Sequence, residues 1–354
     1  MDTTKRLQRL RNLLSEKNIE ALLVCHPNNR YYLSGFSGSA GYLLITSDKA
    51  LLATDSRYVE QARQQSPDYQ LFENKSELHK WLSEFVRELN LKEMSFEAEH
   101  TSYWHYNQIK EVIKPLGIKL KPANEIVESL RIIKDDGELA LIEKAVAISD
   151  EAIEYIRNTE CIGMSELDMS WEIEKYMRGH GSQAIPFEVI VAAGCNAAMP
   201  HHQPCDYIIK ESEPVIIDIG AKCGGYISDL TRTICLGAED AQFRHIYNTV
   251  LQAQLSAEEN IHAGMSGSEA DCIARSVIKA AGYGDKFGHG LGHGIGLAVH
   301  ESPRLGASSQ DILQNGMAFT IEPGIYLPGW GGVRIEDSVV LENGRIRTLS
   351  VASK

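Results

Sequence analysis

Four acidic residues in the C-terminal half stand within short runs of apolar, β-forming residues. Asp218 and Asp229 come first, eleven residues apart, and Glu322 and Glu336 follow at a separation of fourteen. A single acid of this kind is most often a turn residue or an exposed strand charge, but a carboxylate inside an apolar strand needs a cation or hydrogen-bond donors to offset its desolvation. Four such acids would repel one another strongly without bound cations. The pattern therefore indicates a metal site.

The segment between the two acidic pairs supplies imidazole side chains. It contains His289, His293 and His300, and glycines alternate with other residues from Gly288 to Gly296. Glycines let the backbone approach a ligand closely, although a run of glycine and histidine alone would fit a flexible loop equally well. Its position between the carboxylate pairs favours an active-site segment. Four carboxylates and one imidazole can hold two adjacent divalent ions, and such an oxygen-rich set suits manganese, cobalt or zinc.

β-Strands must carry these acids if the charges are to converge. Asp218 belongs to an apolar run from Val215 to Ile219, and Asp229 follows a turn at Gly224-Gly225. If the two runs pair as a hairpin, the alternation of side chains along a strand can project both carboxylates from one face. The apolar neighbours of the two later glutamates indicate the same arrangement.

A faint internal repeat relates the two acidic pairs. The segment GMSELDMSWEIEKYMRGHG, from Gly163, recurs as GMSGSEADCIARSVIKAAGYG, from Gly264. Each copy predicts a helix that is capped by serine and ended by glycine. Each copy is then followed by two strands that carry one carboxylate apiece. The sequence thus predicts two pseudo-symmetric halves that face each other with four acids between them.

The first third of the chain has a different pattern, in which helical periodicity alternates with short β-rich runs. The opening residues space leucines as in an amphipathic helix, β-rich runs begin near residues 20, 41 and 49, and further helices are expected to start at Ser76 and Thr101. Such alternation is typical of an α/β layer with a largely buried sheet. Because 354 residues exceed what one core usually sustains, we expect two domains, residues 1–128 and 129–354.

Composition excludes several classes of function. The chain has 43% hydrophobic and 23% charged residues, as in an ordinary globular protein, and a formal net charge of -13. An acidic chain repels nucleic acid and anionic membranes unless a basic face is segregated, and the sequence shows no such face.

The seven scattered cysteines include no CxxC pair, which favours a reducing, cytoplasmic setting. No stretch predicts a membrane span or a secretory signal.

Five of these residues stand in order within short motifs that carry a family resemblance: Asp218 in IIDIG, Asp229 in YISDLTRT, His293 in GHGIG, Glu322 in TIEPG and Glu336 in RIED. The set resembles the M24 metallopeptidases, a family with the pita-bread fold that includes methionine aminopeptidase, prolidase, aminopeptidase P and creatinase. The resemblance covers the whole second domain. It implies an N-terminal creatinase-like α/β domain followed by a catalytic pita-bread domain with pseudo-twofold symmetry.

The resemblance implies a role for each matching residue. Asp218 would bind one metal ion, His293 and Glu322 would bind the other, and Asp229 and Glu336 would bridge the two. A hydroxide between the ions would attack the scissile carbonyl, and Glu322 would shuttle its proton.

Three histidines match positions on the substrate side of the family's site. His201 and His300 correspond to histidines that hold the substrate and stabilise the tetrahedral intermediate, and both are therefore expected to act in catalysis. His289 corresponds to a histidine of the proline-specific members and is expected to bind substrate. His202 adjoins His201 but has no family counterpart, so it is interpreted as an ordinary polar residue.

Two arginines are further candidates for substrate binding. Arg334 precedes Glu336 by two residues, as in the proline-specific members, and fits a structural ion pair with an acid of the site as well as it fits substrate contact. Arg304 follows His300 by four residues and stands where some prolidases place an arginine that binds the substrate carboxylate.

The N-terminal motif YYLSGFSGSAG, followed by LLATDSRY, resembles the corresponding segment of aminopeptidases P. We therefore expect a homodimeric exopeptidase that needs two divalent ions, Mn²⁺ before Co²⁺ or Zn²⁺, and cleaves peptides with proline at the second position. Prolidase, which demands a dipeptide, is the alternative because of Arg304. Creatinase is disfavoured because it lacks a full metal set. A metal-free binding module is a remote alternative, since all five ligand positions are filled.

Overall fold

The computed structural model describes residues 2–74, 78–87 and 89–354, and the chain divides into two units, Met1–Arg131 and Ile132–Lys354. The N-terminal unit contains, in chain order, α1 (Thr3–Glu16), β1 (Ala21–Val24), α2 (Pro27–Ser34), β2 (Tyr42–Thr46), β3 (Ala50–Asp55), α3 (Val59–Gln65), β4 (Gln70–Asn74), α4 (Leu78–Arg87), β5 (Glu93–Glu97), α5 (Tyr103–Ile113), β6 (Lys119–Ala123) and α6 (Glu128–Arg131).

The N-terminal unit is built on one six-stranded sheet with the order β4-β3-β2-β1-β5-β6. The central strands β1, β2 and β3 pair antiparallel, whereas β4, β5 and β6 add in parallel. The three β-rich runs predicted from the sequence form these central strands, whose residues are almost all buried. Helix α1 buries Leu7, Leu10 and Leu14, which confirms the amphipathic first helix.

The predicted helix starts agree only in part with the structure. Helix α5 begins at Tyr103, two residues after the predicted Thr101, because the Ser102 hydroxyl accepts a hydrogen bond from the His105 backbone N–H. The predicted start at Ser76 lies outside the described residues.

The C-terminal unit contains four long helices and many short strands. In chain order these are α7 (Asp136–Arg157), α8 (Glu166–Gly179), β7 (Ile190–Ala193), β8 (Pro214–Ile219), β9 (Lys222–Cys223), β10 (Tyr226–Ile227), β11 (Leu230–Cys235), α9 (Ala241–Asn260), α10 (Gly267–Ala280), β12 (Gly292–Gly294), β13 (Glu301–Leu305), β14 (Ala318–Ile321), β15 (Gly324–Leu327), β16 (Gly331–Arg334), β17 (Asp337–Glu342) and β18 (Arg345–Thr348).

The C-terminal unit consists of two halves, each with a helix pair over a sheet. In the first half, apolar residues of α7 and α8 pack on the three-stranded sheet β11-β8-β7. In the second half, α9 and α10 pack on the five-stranded sheet β13-β12-β14-β17-β18. The two hydrophobic clusters are separate, and the opposite face of the first sheet carries a smaller apolar cluster that includes Ile190, Ala192 and Ile216.

The internal repeat predicted from the sequence is visible at the starts of α8 and α10. Ser165 and Ser266 cap these helices in equivalent capping boxes, and each serine also forms an isolated β-bridge, with Ile208 and Ile312 respectively. The same local chemistry thus starts the corresponding helix in each half. Among the described residues, no helix is long and apolar enough to cross a membrane.

Candidate active site

The first acidic pair lies on one face of the sheet of the first half. Strands β8 and β11 pair antiparallel, with Asp218 opposite Thr231, while the short ribbon β9-β10 fills the connection between them. Asp229 precedes Thr231 by two residues, and strand alternation therefore directs it to the face that carries Asp218. Asp229 is fixed there because its backbone N–H and C=O both bond to the Ser338 hydroxyl.

The second acidic pair lies at the end of a strand pair in the other half. Ile321 of β14 is opposite Asp337 of β17, so Glu322 and Glu336 flank this pair on neighbouring strands. The Glu336 backbone N–H donates to Thr231 C=O at 3.1 Å, which joins the second half to strand β11 of the first. The two halves thereby bring their acids together.

His293 lies between the two acidic pairs. Its Nε2 atom is 3.3 Å from Glu322 Oε1 and 3.7 Å from Asp229 Oδ2. Strand β12 can approach β14 this closely because of its glycines: a Cβ atom at Gly292 would lie 2.0 Å from Thr320 C=O. Asp229, His293 and Glu336 each place one ligand atom within 4.8 Å of the others. We call Asp218, Asp229, His293, Glu322 and Glu336 the acid centre.

Burial changes the protonation of the acid centre. It raises the pKa of Glu322 to about 7, and together with the charge of Glu336 it raises the pKa of Asp229 well above its ordinary value. Burial and the charge of Glu322 also raise the pKa of Glu336 well above its ordinary value. Burial lowers the pKa of His293 to about 4, which leaves a neutral imidazole at neutral pH. The charge of Arg334 lowers the pKa of all three carboxylates, but by less than burial raises it.

Asp218 shows most directly that the acid centre fits cations. One oxygen, Oδ2, accepts a hydrogen bond from the Arg334 guanidinium at 2.6 Å, but Oδ1 is buried and has no hydrogen-bond partner among the described residues. A buried carboxylate oxygen without a donor is strongly destabilised unless a metal ion approaches it. Two divalent ions would satisfy this oxygen and offset the excess of negative charge, so the residues present fit a dinuclear site.

Arg334 forms the structural ion pair that the sequence left open. Besides bonding Asp218, it donates to Tyr326 Oη at 3.0 Å and to Thr231 Oγ1 at 3.1 Å. Arg334 is 3% exposed, and it also lines the cavity described next. Arg334 forms the ion pair with Asp218 in this structure, and its position on the cavity wall also allows it to contact substrate.

A cavity of about 420 Å³ opens onto the acid centre. Eight of the ten residues singled out from the sequence line it: His201, Asp218, Asp229, His289, His293, His300, Glu322 and Arg334. The remaining wall includes apolar side chains of Phe187, Ile190 and Val299. The volume and the mixture of apolar wall with a few polar groups are typical of a small-molecule or peptide site.

The three substrate-side histidines differ in how firmly they are held. Both ring nitrogens of His289 are engaged, Nε2 by Tyr326 Oη at 2.9 Å and Nδ1 by Gly290 C=O at 2.8 Å. The His300 ring meets the His293 ring edge-on, with centroids 4.3 Å apart. His201 is an exposed residue of the cavity wall.

Arg304 and Glu336 are the two sequence candidates that do not line the cavity in the described part of the chain. Glu336 is 2% exposed and lies behind Thr231, whose hydroxyl donates to its Oε2 at 2.6 Å. Arg304 is exposed on β13, where it is the register partner of His293 and its backbone N–H donates to Asp311. The register pairing places Arg304 on the same sheet face as His293, but its side chain is exposed and is not among the residues that line the described cavity.

Three functional neighbours were missed by sequence reasoning. Thr231 bridges Arg334 and Glu336. Thr320 contacts Glu322 Oε1 at 3.2 Å. Tyr326 links Arg334 to His289. The two threonines stand two residues from an acid, so strand alternation could have revealed them. Tyr326 has no such signal: its histidine partner is 37 positions away, and its arginine partner lies eight positions away on the neighbouring strand of a hairpin.

Comparison with known proteins agrees with this geometry. Residues 140–343 match the family described as Metallopeptidase family M24, and residues 6–133 match the Creatinase/Prolidase N-terminal domain. An uncharacterised peptidase of Bacillus subtilis is 40% identical over 349 residues, which is 99% of this chain and 98% of the relative.

Two solved structures are similar over nearly their whole length. A Xaa-Pro dipeptidase from Bacillus anthracis has a TM-score of 0.96 and 38% identity, covering 99% of this chain and 98% of its own. An X-Pro aminopeptidase from Thermotoga maritima has a TM-score of 0.91 and 34% identity, covering 98% of each chain.

The fold and the acid centre define a dinuclear metallohydrolase. The chain belongs to metallopeptidase family M24, whose members depend on two metal ions, and it is a hydrolase of peptide bonds. The predicted fold class is confirmed: an α/β creatinase-like domain precedes a pita-bread domain with two related halves.

Proposed function

We propose that this chain is a metal-dependent exopeptidase that hydrolyses the bond between an N-terminal residue and a following proline. One observation carries the proposal: four carboxylates, two of them buried and one with an unpartnered oxygen, converge with His293 beside a peptide-sized cavity. The apolar wall of that cavity suits a proline ring. The names of similar proteins, Xaa-Pro dipeptidase and X-Pro aminopeptidase, support the proline preference.

The proposed ligands divide the acid centre between two divalent ions. Asp218 would bind one ion, and His293 and Glu322 would bind the other. Asp229 and Glu336 would each bind both ions. Mn²⁺ is the preferred ion and Co²⁺ or Zn²⁺ the alternatives, because the donor set is rich in oxygen but includes an imidazole. Bound ions supply Lewis-acid polarisation of the scissile carbonyl and lower the pKa of the attacking water.

The remaining steps fall to side chains around the cavity. Glu322, whose pKa burial raises to about 7, would take the proton of the attacking water and return it to the leaving amine. His300 and His201, on the cavity wall, would donate hydrogen bonds to the carbonyl oxygen as it gains charge. His289 and Arg334 would position the peptide, with Tyr326 between them.

The aminopeptidase form of this activity is supported by the position of Arg304. A dipeptidase that holds the proline carboxylate needs a cation at the far end of its substrate, and Arg304 is exposed and absent from the described cavity lining. The dipeptidase form remains a second candidate for one specific reason. Arg304 is close enough to His300 that its charge contributes to lowering the pKa of that histidine, although burial contributes more.

Further proposals follow from the same assignment. Residues 129–354 would form the catalytic domain, and residues 1–128 the N-terminal domain. We also propose a cytoplasmic homodimer that acts on peptides and binds neither nucleic acid nor membranes; the net charge of -13 supports the last point.

The specificity is tested with Ala-Pro and Ala-Pro-Ala side by side on the manganese-loaded chain, with Ala-Ala-Ala as the substrate that lacks proline. We expect alanine release from Ala-Pro-Ala at least as fast as cleavage of Ala-Pro, and none from Ala-Ala-Ala. A dipeptide preference that collapses in Arg304→Ala would replace the aminopeptidase proposal by the dipeptidase one. Equal cleavage of Ala-Ala-Ala would reject the proline requirement.

A further inference from the structure

A second cluster of metal-ligand side chains lies beside the acid centre and shares no residue with it. Glu166, His202 and Cys205 each place one ligand atom within 4.8 Å of the others. Glu166 Oε2 is 2.7 Å from His202 Nε2 and 3.2 Å from Cys205 Sγ, and it also accepts the Cys205 backbone N–H at 3.2 Å. A carboxylate, an imidazole and a thiol therefore converge on one point.

The carboxylate of this cluster is held rigidly by the fold. Glu166 is the first residue of α8, directly after the Ser165 capping box, and it is fully buried at 0% exposure. Its other oxygen, Oε1, accepts the Ala193 backbone N–H at 2.7 Å and the Asn196 side-chain amide at 3.1 Å. Metal-binding carboxylates are commonly oriented by hydrogen bonds of this kind to the oxygen that does not bind the ion.

We propose that Glu166, His202 and Cys205 form a third metal site, which takes a thiophilic divalent cation such as Zn²⁺. Carboxylate, imidazole and thiolate are the three side-chain donors that zinc uses in proteins, and a water molecule would complete the tetrahedron. On binding, the Cys205 thiol releases its proton to solvent and His202 carries its remaining proton on Nδ1, so that Sγ, Nε2 and Oε2 are free to coordinate.

The geometry needs little adjustment for this. Tetrahedral zinc with bonds of about 2.0 to 2.3 Å holds its ligand atoms roughly 3.3 to 3.6 Å apart. Relative to the present spacing, His202 must withdraw by about 0.6 Å and Cys205 by about 0.4 Å to meet that geometry. Cys205 is exposed, so it can both move and meet an incoming ion from solvent.

The site adjoins the peptide cavity through His202. This residue lines the cavity and follows His201, one of the proposed substrate-side histidines. An ion that binds His202 would fix its ring against Glu166 and add positive charge beside the substrate path. We therefore expect the filled site to inhibit hydrolysis. The proposal thus has two halves, metal binding and inhibition. The inhibition half rests on the proposed peptidase function, whereas the binding half does not.

Cadmium titration of the manganese-loaded, full-length protein tests the binding half, because a cadmium–thiolate bond gives an ultraviolet charge-transfer band. Wild-type protein should show the band and saturate at one equivalent per chain. Cys205→Ser should lose the band and bind cadmium at least tenfold more weakly at this site. Cys195→Ser is the matched control: Cys195 is also an exposed thiol but lies outside the cluster, so this variant should behave as wild type.

The outcomes separate the two halves. A missing band in wild type, or a band that survives in Cys205→Ser, would overturn the metal site whether or not the chain hydrolyses peptides. Cadmium should lower hydrolysis of Ala-Pro-Ala in wild type and in Cys195→Ser more than in Cys205→Ser, whose activity without cadmium should be unchanged. Equal inhibition of all three, despite the band, would overturn the inhibitory role alone and leave both the site and the peptidase function standing.

Discussion

Glu336 and Asp337 are neighbours in the chain but lie in opposite electrostatic surroundings. Glu336 lies among the carboxylates of the acid centre, and burial with the charges of Glu322 and Asp218 raises its pKa well above the ordinary value. Asp337 faces Arg232 Nη2 at 2.7 Å and Lys354 Nζ at 2.6 Å. Although burial alone would raise the pKa of Asp337, these two cations hold it below the ordinary value.

The difference follows from strand geometry. Glu336 directly precedes β17 and Asp337 begins it, and consecutive residues of an extended chain point to opposite faces. One carboxylate therefore enters the acid centre, and the next enters a set of residues that we call the ion network, namely Arg232, Asp337 and Lys354. The ion network is balanced by the protein's own cations. The negative charge of the acid centre is left to be balanced by metal ions from solution. Burial of a charge therefore marks a functional site here only where the fold supplies too few partners.

Glu336→Gln should give the largest effect on chemistry. The substitution keeps the shape and the hydrogen bond from Thr231 but removes a charge that would hold both ions. We expect loss of at least one ion per chain and a fall in kcat/KM of roughly 1000-fold or more, since bound metal supplies several kcal/mol of transition-state stabilisation. Metal analysis and peptide hydrolysis on the same sample measure it. Near-normal hydrolysis would contradict the role of Glu336.

Asp337→Asn should have the opposite effects: it should lower stability and leave metal content and turnover unchanged. Its side chain is buried, and the substitution leaves the buried Arg232 without its carboxylate, which costs about 3 to 5 kcal/mol in the free energy of unfolding, whereas Lys354 keeps Glu258 as a partner. We expect a lower urea midpoint with unchanged metal content and unchanged turnover per folded chain. The exposed pair of Arg347 with Glu143 provides a control, since Arg347→Gln should change the free energy of unfolding by less than about 1 kcal/mol. Loss of metal in Asp337→Asn would remove the distinction between the two regions.

Sequence patterns predicted the elements that carry the acid centre because local physics dominates there. The apolar run around Asp218 forms β8, and the two capping serines start α8 and α10 as expected. The hairpin expected between the first two acids was right in its pairing but incomplete. Strands β8 and β11 do pair, whereas the turn between them carries the small extra ribbon β9-β10.

Long-range partners could not be predicted in this way. Arg334 and Asp218 are 116 positions apart, and Glu166 and His202 are 36 apart, so no local periodicity relates them. His202, interpreted from the sequence as an ordinary polar residue, in fact lies 2.7 Å from a buried carboxylate. The sequence shows which side chains are able to do chemistry, but only tertiary packing decides which of them meet.

His300→Ala should lower turnover and leave metal content unchanged. The ring contacts His293 edge-on but lies on the cavity wall, where it would stabilise the developing oxyanion. Losing one such donor costs about 2 to 4 kcal/mol in transition-state stabilisation, or roughly 30- to 1000-fold in kcat. If this variant loses a metal ion, His300 belongs among the ligands and the assignment is wrong.

Thr231→Val should give the smallest effect of the series. Valine keeps the β-branched shape in β11, but it removes the hydrogen bonds that orient Glu336 and Arg334. We expect metal affinity to fall by about 10- to 100-fold, as for other groups that orient a ligand, with full activity recovered at high manganese. Thr233→Val, on the same strand, is a comparison because Thr233 bonds the Arg334 backbone rather than an acid. Equal losses in both variants would indicate a general effect on the strand.

The metal content of the wild-type chain tests the central claim most directly. Protein purified with manganese should contain two divalent ions per chain, lose both ions and hydrolysis on exhaustive dialysis against a chelator, and regain both when manganese or cobalt is restored. Asp337→Asn should match wild type in this measurement, and Glu336→Gln should not. Full hydrolysis by a sample shown to be free of metal would contradict the account.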